Sequence, residues 1–524
     1  RAEVKRRSLD GDYFAGQGIF GNGLYSAYGE NGRDFGLGYT ATRNGRPAGE
    51  DGLITFKLAD NAKIMDHKDA MKQSGLEDVD KSKAWFGARD KYNDRFMAKI
   101  NDIQARQVLD SRGNPTIEVD VVTDTGYLGR AIVPSGASTG SKEALELRDK
   151  DKQWNGKGVN LAIQNIEKYI KPELIGLKSS NIEKIDNLIL GIDGTDNKSR
   201  LGANATLAVS LAVVQAEANS QKKPLFQYIY NIIKKRESLS NDSFTLPIPM
   251  MNILNGGSHA DNNLDIQEFM IIPSGFKTYQ EALRAGVEIF HSLKTILKQK
   301  KLSTAIGDEG GFAPMLESNE QALDLIMESI ERARYKPKKE IQLGLDVAAS
   351  ELYVAKKEQY MFGADFFTAR ELIDYYQKIC SQYPIVSIED GLDQNDWKHW
   401  GVLNSLLGEQ VQIVGDDLTV TNPTLLTKAV KDNAMNAILI KLNQIGTFSE
   451  TIEAIKIAQK HSLGVIISHR SGETEDTFIS DLAVATCAGQ IKTGSLCRTD
   501  RTAKYNQLLR IDSLIQSKVY GNNA

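Results

Sequence analysis

Ala437-Ile-Leu-Ile-Lys-Leu442 sets a lysine at the end of four consecutive apolar residues. A short apolar run of this kind reads as a strand buried on both faces. A charge inside it is costly without an anion or a task. The pattern recurs down the second half of the chain, at 246–254, 266–273, 343–350, 385–390, 412–418, 437–443, 464–470 and 491–495. Most of these runs are separated by helix-length segments. One such segment carries Leu323, Ile326, Met327 and Ile330, an i, i+3, i+4, i+7 stripe. Eight strands alternating with helices predict an α/β fold, a closed β/α barrel. The second run follows the first with no helix between, a departure from the plain repeat.

Chemistry collects at the C-terminal ends of these runs: Gln267-Glu268, Asp346, Glu389, Asp416, Lys441, His469-Arg470 and Lys492. In a barrel those ends converge on one face, where active sites are built. Any one of these residues alone reads more simply as a helix cap or turn former. The recurrence at seven of the eight runs is what points to a single site. Asp346, Glu389 and Asp416 end the third, fourth and fifth runs, and three convergent carboxylates repel one another unless a cation neutralises them. Oxygen ligands without His or Cys select Mg²⁺ or Mn²⁺. Near such cations the Lys441 ammonium is disfavoured, so its pKa is expected to fall toward that of a usable base. The plainer alternative is a structural ion pair with one of the acids.

Three loops add to the set. Gly307-Asp-Glu-Gly-Gly-Phe312 holds Glu309 where the backbone can approach a ligand closely and a carboxyl can serve as an acid. Ser135-Gly-Ala-Ser-Thr-Gly140 has the composition of a lid, though Ser/Gly stretches are usually linkers. Gly256-Gly-Ser-His-Ala260 offers His259, alone only a candidate. His469, Arg470, Ser471 and Lys492 supply positive charge and donors suited to a phosphate or carboxylate.

Composition bounds the remaining classes. At 524 residues, with 41% hydrophobic and 25% charged, two or three soluble domains are expected. Lys+Arg 64 against Asp+Glu 68 gives a net charge of -4, which offers neither a nucleic-acid field nor a polybasic membrane patch. No apolar run spans a bilayer and no signal-peptide pattern opens the chain. Three scattered cysteines, Cys380, Cys487 and Cys497, make no disulfide framework or zinc site and fit a reducing cytoplasm. The texture divides the chain at 1–96, 97–240 and 241–524. The first part is Gly-rich, and Met97-Ala-Lys looks like a translational start embedded in a longer chain. Thr116-Ile-Glu-Val-Asp-Val-Val122 alternates at period two inside a strand meander over 100–134. Helices are predicted at 160–173, 179–190 and 200–220, and an exposed polar linker at 234–243.

Taken together, these segments resemble enolase from Met97 to the C-terminus. The resemblance is carried by Leu109-Asp-Ser-Arg-Gly-Asn-Pro-Thr116, Pro134-Ser-Gly-Ala-Ser-Thr-Gly140, Gln267-Glu-Phe-Met270 and Gly307-Asp-Glu-Gly-Gly311. It continues through Gly344-Leu-Asp-Val-Ala-Ala-Ser350, Ser387-Ile-Glu-Asp390, Gly415-Asp-Asp-Leu418 and Lys441-Leu-Asn-Gln-Ile-Gly446. Ser468-His-Arg-Ser-Gly-Glu-Thr474 and Gln490-Ile-Lys-Thr-Gly-Ser495 complete it. The resemblance implies an enolase-type β/α barrel behind an α+β domain, and dehydration of 2-phosphoglycerate to phosphoenolpyruvate. It implies two Mg²⁺ ions, one held by Asp346, Glu389 and Asp416, the second arriving with substrate and helped by Ser138. Lys441 is implied as the base, Glu309 as the acid and Glu268 as its support. Gln267, His259, His469, Arg470, Ser471 and Lys492 are implied to line or bind the substrate. A homodimer or dimer-based octamer, surface-protein binding, and a cell-surface or secreted pool beside the cytoplasmic one are implied on the same ground. Residues 1–96 are foreign to that family. Gly16-Gln-Gly-Ile-Phe-Gly-Asn-Gly-Leu-Tyr-Ser-Ala27 with Tyr39 faintly resembles part of an ADP-ribosyltransferase core. No Glu-x-Glu pair lies between Ala48 and Leu76, so no transferase activity is expected there. The segment reads as a partial domain, a joined reading frame or a tether.

Overall fold

The structure, a computed structural model, describes residues 98–137, 140–234, 244–515 and 518–521. In the leading unit, Arg1–Met97, only the pairing of Ala27–Tyr28 with Lys63–Ile64 and of Thr42–Arg43 with Arg46–Pro47 is described. The expectations for that segment, for the linker beyond Lys234 and for Ser138 therefore lie outside the described residues.

Within the unit Ala98–Ala524 the meander forms first: β1 (Ile100–Leu109), β2 (Pro115–Thr123) and β3 (Leu128–Ile132), all antiparallel. Its apolar face needs a cover. A helical stretch over 160–174, with a π turn at Ile166–Ile170, is followed by α1 (Ile182–Asp193), α2 (Ala203–Ser220) and α3 (Leu225–Lys234). α3 lies beyond the predicted helices. α2 is apolar almost all round, as a helix buried on every side must be, and residues from Ala203 to Val214 are buried without a break. Gly129 lets it approach the sheet, because a Cβ there would stand 2.1 Å from Ala212 O. On its other side Thr206 Oγ1 donates to Gly446 O at 2.7 Å, which ties α2 to the barrel.

Eight strands then close in sequential order: β4 (Ile248–Asn255), β5 (Glu268–Ile272), β6 (Gln342–Asp346), β7 (Ile385–Glu389), β8 (Gln412–Gly415), β9 (Ala437–Ile440), β10 (Gly464–Ser468) and β11 (Gly489–Lys492). β5 runs antiparallel to both neighbours, and every other pairing is parallel. Helices α4 (Tyr279–Gln299), α5 (Asn319–Arg332), α6 (Ala369–Gln382), α7 (Trp397–Leu407), α8 (Pro423–Lys431), α9 (Phe448–Lys460), α10 (Phe478–Ala485) and α11 (Thr499–Leu514) punctuate the strands. Local signals start several of them. Thr278, Ser318, Asp396, Asn422 and Thr447 cap by side chain, and Thr368 with Glu371 forms a capping box on α6. In the α5 stripe Leu323, Ile326 and Ile330 are buried and Met327 is half-buried.

The bore is filled rather than hollow. Met250, Met270, Ile272, Val414, Ala437, Leu439 and Ile466 pack together inside, whereas Ile438, Ile440, Val465 and Ile467 belong to the layer beneath the helices. Period-two alternation carries this parity to the strand ends. Ala437 and Leu439 face inward, so Lys441 does too. Met270 and Ile272 face inward, and so does Glu268. Among the described residues no helix is long and apolar enough to cross a membrane.

Candidate active site

One pocket at the barrel mouth, with about 400 Å³ of open space, is lined by His259, Gln267, Glu268, Glu309, Asp346, Asp416, Lys441, His469, Arg470, Ser471 and Lys492, together with Ala348, Asp390, Asp417 and Ser468. Glu389 lies beneath it, fully buried, within reach of Lys492. The sequence reading placed Gln267-Glu268 at the end of a strand. They stand at its beginning, because β5 runs against its neighbours and so starts at the mouth. Glu268 faces Asn255 and Asp346, the last residues of β4 and β6.

Register assembles one wall. Asp346 and Glu389 are Cα partners on adjacent strands, and Ser468 and Lys492 on another pair. Lys492 Nζ lies 2.8 Å from Asp346 Oδ2, 2.7 Å from Glu389 Oε2 and 3.3 Å from Glu268 Oε1. Burial alone would lower its pKa, but these carboxylates hold it well above the usual lysine range. Lys441 follows β9 directly and pairs with Asp416 Oδ2. Gln444 donates to the other Asp416 oxygen at 2.8 Å. Burial would push Lys441 down too, yet Asp416 outweighs it and the pKa is raised. The pairing with an acid is the plainer of the two sequence expectations, and the fall toward a free base was expected beside bound cations.

The other wall stands on loops. Glu309 accepts from Asn252 Nδ2 at 3.1 Å, faces His469 Nε2 at 3.4 Å and lies 3.6 Å from His259 Nδ1. His259, in the one-turn helix Gly257–His259, reaches Glu268 at 3.5 Å. Burial pushes His469 down to about 4, neutral at pH 7, and His259 in the same direction. Burial and then the neighbouring Glu309 raise Glu268 well above the carboxylate range. Glu309 is also buried, but His469, then His259 and Arg501, hold it low, so the two carboxyls are pushed in opposite directions. Arg470 grips Glu143 with both terminal nitrogens, at 2.9 and 3.1 Å, and meets Asn443 Oδ1 at 3.0 Å. Ser471 Oγ accepts from Ala137 N at 2.7 Å, joining this wall to the segment before Ser138.

Acids outnumber bases here. Glu268, Glu309, Asp346, Asp390, Asp416 and Asp417 line the pocket against Lys441, Arg470 and Lys492. Burial, then Asp416, lifts Asp417 to about 7, and burial with Asp346 lifts Glu389 well above its ordinary value. Glu389 Oε1 is buried without a hydrogen-bond partner. An all-oxygen donor set, surplus negative charge and an orphaned carboxylate oxygen fit a hard divalent cation. Among the described residues the tightest groupings of possible ligands are Asp390, Asp416, Asp417 and, separately, His259, Glu268, Glu309. Asp346 and Glu389 instead share Lys492.

Several pocket-shaping residues had no role in the sequence reading: Asn252, Glu143 and Arg501, with Gln444 and Asp390, which lie in segments it quoted. Asp390, at φ 45°, accepts the backbone N–H groups of Asp416 and Asp417 at 2.9 Å each. Arg501 did leave a trace, because Arg501, Lys504, Tyr505, Leu508 and Ile511 form a helical stripe whose first two members are charged.

Fold and pocket define a β/α-barrel enzyme whose acidic mouth is suited to a divalent cation and an anionic ligand. The family model for the enolase N-terminal domain matches residues 100–229, and that for the enolase C-terminal TIM barrel domain matches residues 243–523. The chain belongs to the enolase family, and it is an enolase-type lyase of a family that uses a divalent metal.

Proposed function

We propose that this chain catalyses the reversible Mg²⁺-dependent dehydration of 2-phosphoglycerate to phosphoenolpyruvate, the reaction of glycolysis and gluconeogenesis. The observation that carries the reading is a single pocket containing an inward-facing lysine, Lys441, and a buried glutamate pair, Glu268 and Glu309, beside a carboxylate-rich floor. Asp346, Glu389 and Asp416 would hold one Mg²⁺, with Ser138 helping a second. Ions held there would supply Lewis-acid polarisation of the substrate carboxylate and stabilise charge released at C2.

The chain's own groups do the rest. Lys441 Nζ takes the proton from C2. The electron pair left on C2 forms the C2=C3 bond as the C3–O bond breaks. The departing hydroxide leaves as water, with a proton from Glu309 that Glu268 supplies. Lys441 is a base only when neutral, and an Asp416 engaged by a cation would no longer support its ammonium form. A lysine or histidine base working beside magnesium is general to the enolase superfamily, and the assignment of Lys441 agrees with that pattern. Arg470 and Ser471 bind the phosphate and Lys492 the carboxylate end, while His259, Gln267 and His469 line the remaining surface.

The test is the Mg²⁺-dependent appearance of phosphoenolpyruvate absorbance. Lys441→Ala is expected to lose about 10⁴-fold in turnover, the upper range for a general base. Turnover within a few-fold of wild type would refute the assignment. We further propose a homo-oligomer, and a division into segment 1–96, α+β domain 97–240 and barrel 241–524. The leading segment carries no transferase activity in this reading. Mass and activity of the full chain, compared with a chain beginning at Met97, test these points together.

A further inference from the structure

Arg501, near the start of α11, is fully buried and meets two loops at once. Its Nη1 donates to Arg470 O at 2.6 Å, and its Nη2 to Ser471 O at 2.6 Å and to Asp308 O at 3.1 Å. Nη1 also meets His469 Nδ1. Asp308 precedes Glu309, and Arg470 and Ser471 lie on the opposite loop, so one planar fork spans both. A guanidinium has five donors, no acceptor, and stays protonated. His469 Nδ1 must therefore accept, which places the imidazole proton on Nε2, the atom 3.4 Å from Glu309 Oε2.

Resting on the reaction proposed above, we infer that Arg501 is a positioning residue for the acid half of the reaction. It fixes the His469 proton toward Glu309 and holds the Asp308 and Arg470–Ser471 backbones in one arrangement. The low pKa of His469, about 4, is consistent with this: burial is the largest cause, and Arg501 acts in the same direction. Arg501 makes no hydrogen bond to Lys441 or Asp416, so its loss is predicted to raise the KM through Arg470 and Ser471 while C2 proton removal survives at saturating substrate. A misplaced acid costs on the order of 10²-fold.

The experiment uses the full chain with ¹⁵N-histidine, the His469 signals being assigned by their loss in His469→Gln. In wild type the Nδ1 signal is expected to be unprotonated and the Nε2 signal protonated. Arg501→Met is expected to mix the two tautomers and lower phosphoenolpyruvate formation about 10²-fold. At saturating 2-phosphoglycerate, exchange of its C2 hydrogen with solvent deuterium should stay within a few-fold of wild type. An unchanged His469 tautomer, or equal loss of exchange and dehydration, overturns the inference. If Arg501→Met does not fold, Arg501→Lys keeps the charge but not the fork, and the same separation is expected at about tenfold. Absence of C2 exchange in the wild-type chain would instead remove the underlying reaction.

Discussion

Asp346 and Glu389 face each other across a strand pair, Lys441 and Asp416 directly follow neighbouring strands, and Lys492 ends another. Glu309, His469 and Ser471 stand on loops, each tied by one or two long-range bonds to Asn252, Arg501 or Ala137. The first wall inherits its geometry from backbone register, which many hydrogen bonds hold in common. The second depends on individual side chains. Substitutions beside the pocket should therefore be tolerated on the strand wall and damaging on the loop wall.

The largest expected effect concerns acid stability of the loop wall. His469 falls from 6.5 to about 4 on folding, so below pH 6.5 the unfolded chain binds a proton that the folded chain refuses. The stability this group contributes is present above pH 6.5 and lost as pH falls toward 4. His469→Gln is predicted to remove about 2 kcal/mol of that decline, read by urea unfolding at pH 4.5 and 7. Parallel wild-type and variant profiles would show the imidazole to be charged when folded. Next comes Gly310, at φ 87°, where a Cβ would stand 3.0 Å from Cys497 O and 3.1 Å from its Sγ. Gly310→Ala should shift Glu309 and slow dehydration about 10²-fold while leaving C2 exchange intact. Equal loss of both would mean that the two walls move together. The smallest effect is on the strand wall. Gln444→Leu frees Asp416 Oδ1 and is expected to weaken divalent-cation affinity about tenfold, measured calorimetrically. A loss beyond about 10³-fold would show that register does not hold this wall.

The strand wall was legible in the sequence because the runs bearing Asp346, Glu389, Asp416, Lys441 and Lys492 each carry a charged residue near the end, and the runs recurred. Lys441 after Ala437–Ile440 is the plainest case. Strand direction was not legible. An apolar run carries no arrow, so Gln267-Glu268 read as an ending although they open β5. The loop wall was half legible: Glu309 stood out among glycines, whereas its supports Asn252 and Arg501 come from a strand interior and a helix. Charges on a helix's apolar stripe, Arg501 and Lys504, were the available clue. Glu143 gave none, because its partner Arg470 lies 327 positions away.

The reversed second strand has a corollary for where Glu309 stands. Having descended from mouth to floor, the chain must begin β6 from the floor again, so α4 and α5 together make a return journey between Ile272 and Gln342. The turning point of an excursion that starts and finishes below lies above. Glu309 sits on that summit, between Gln299 and Asn319. A single inverted strand thus delivers one member of the glutamate pair on its own first residue and the other at the apex of the detour it forces.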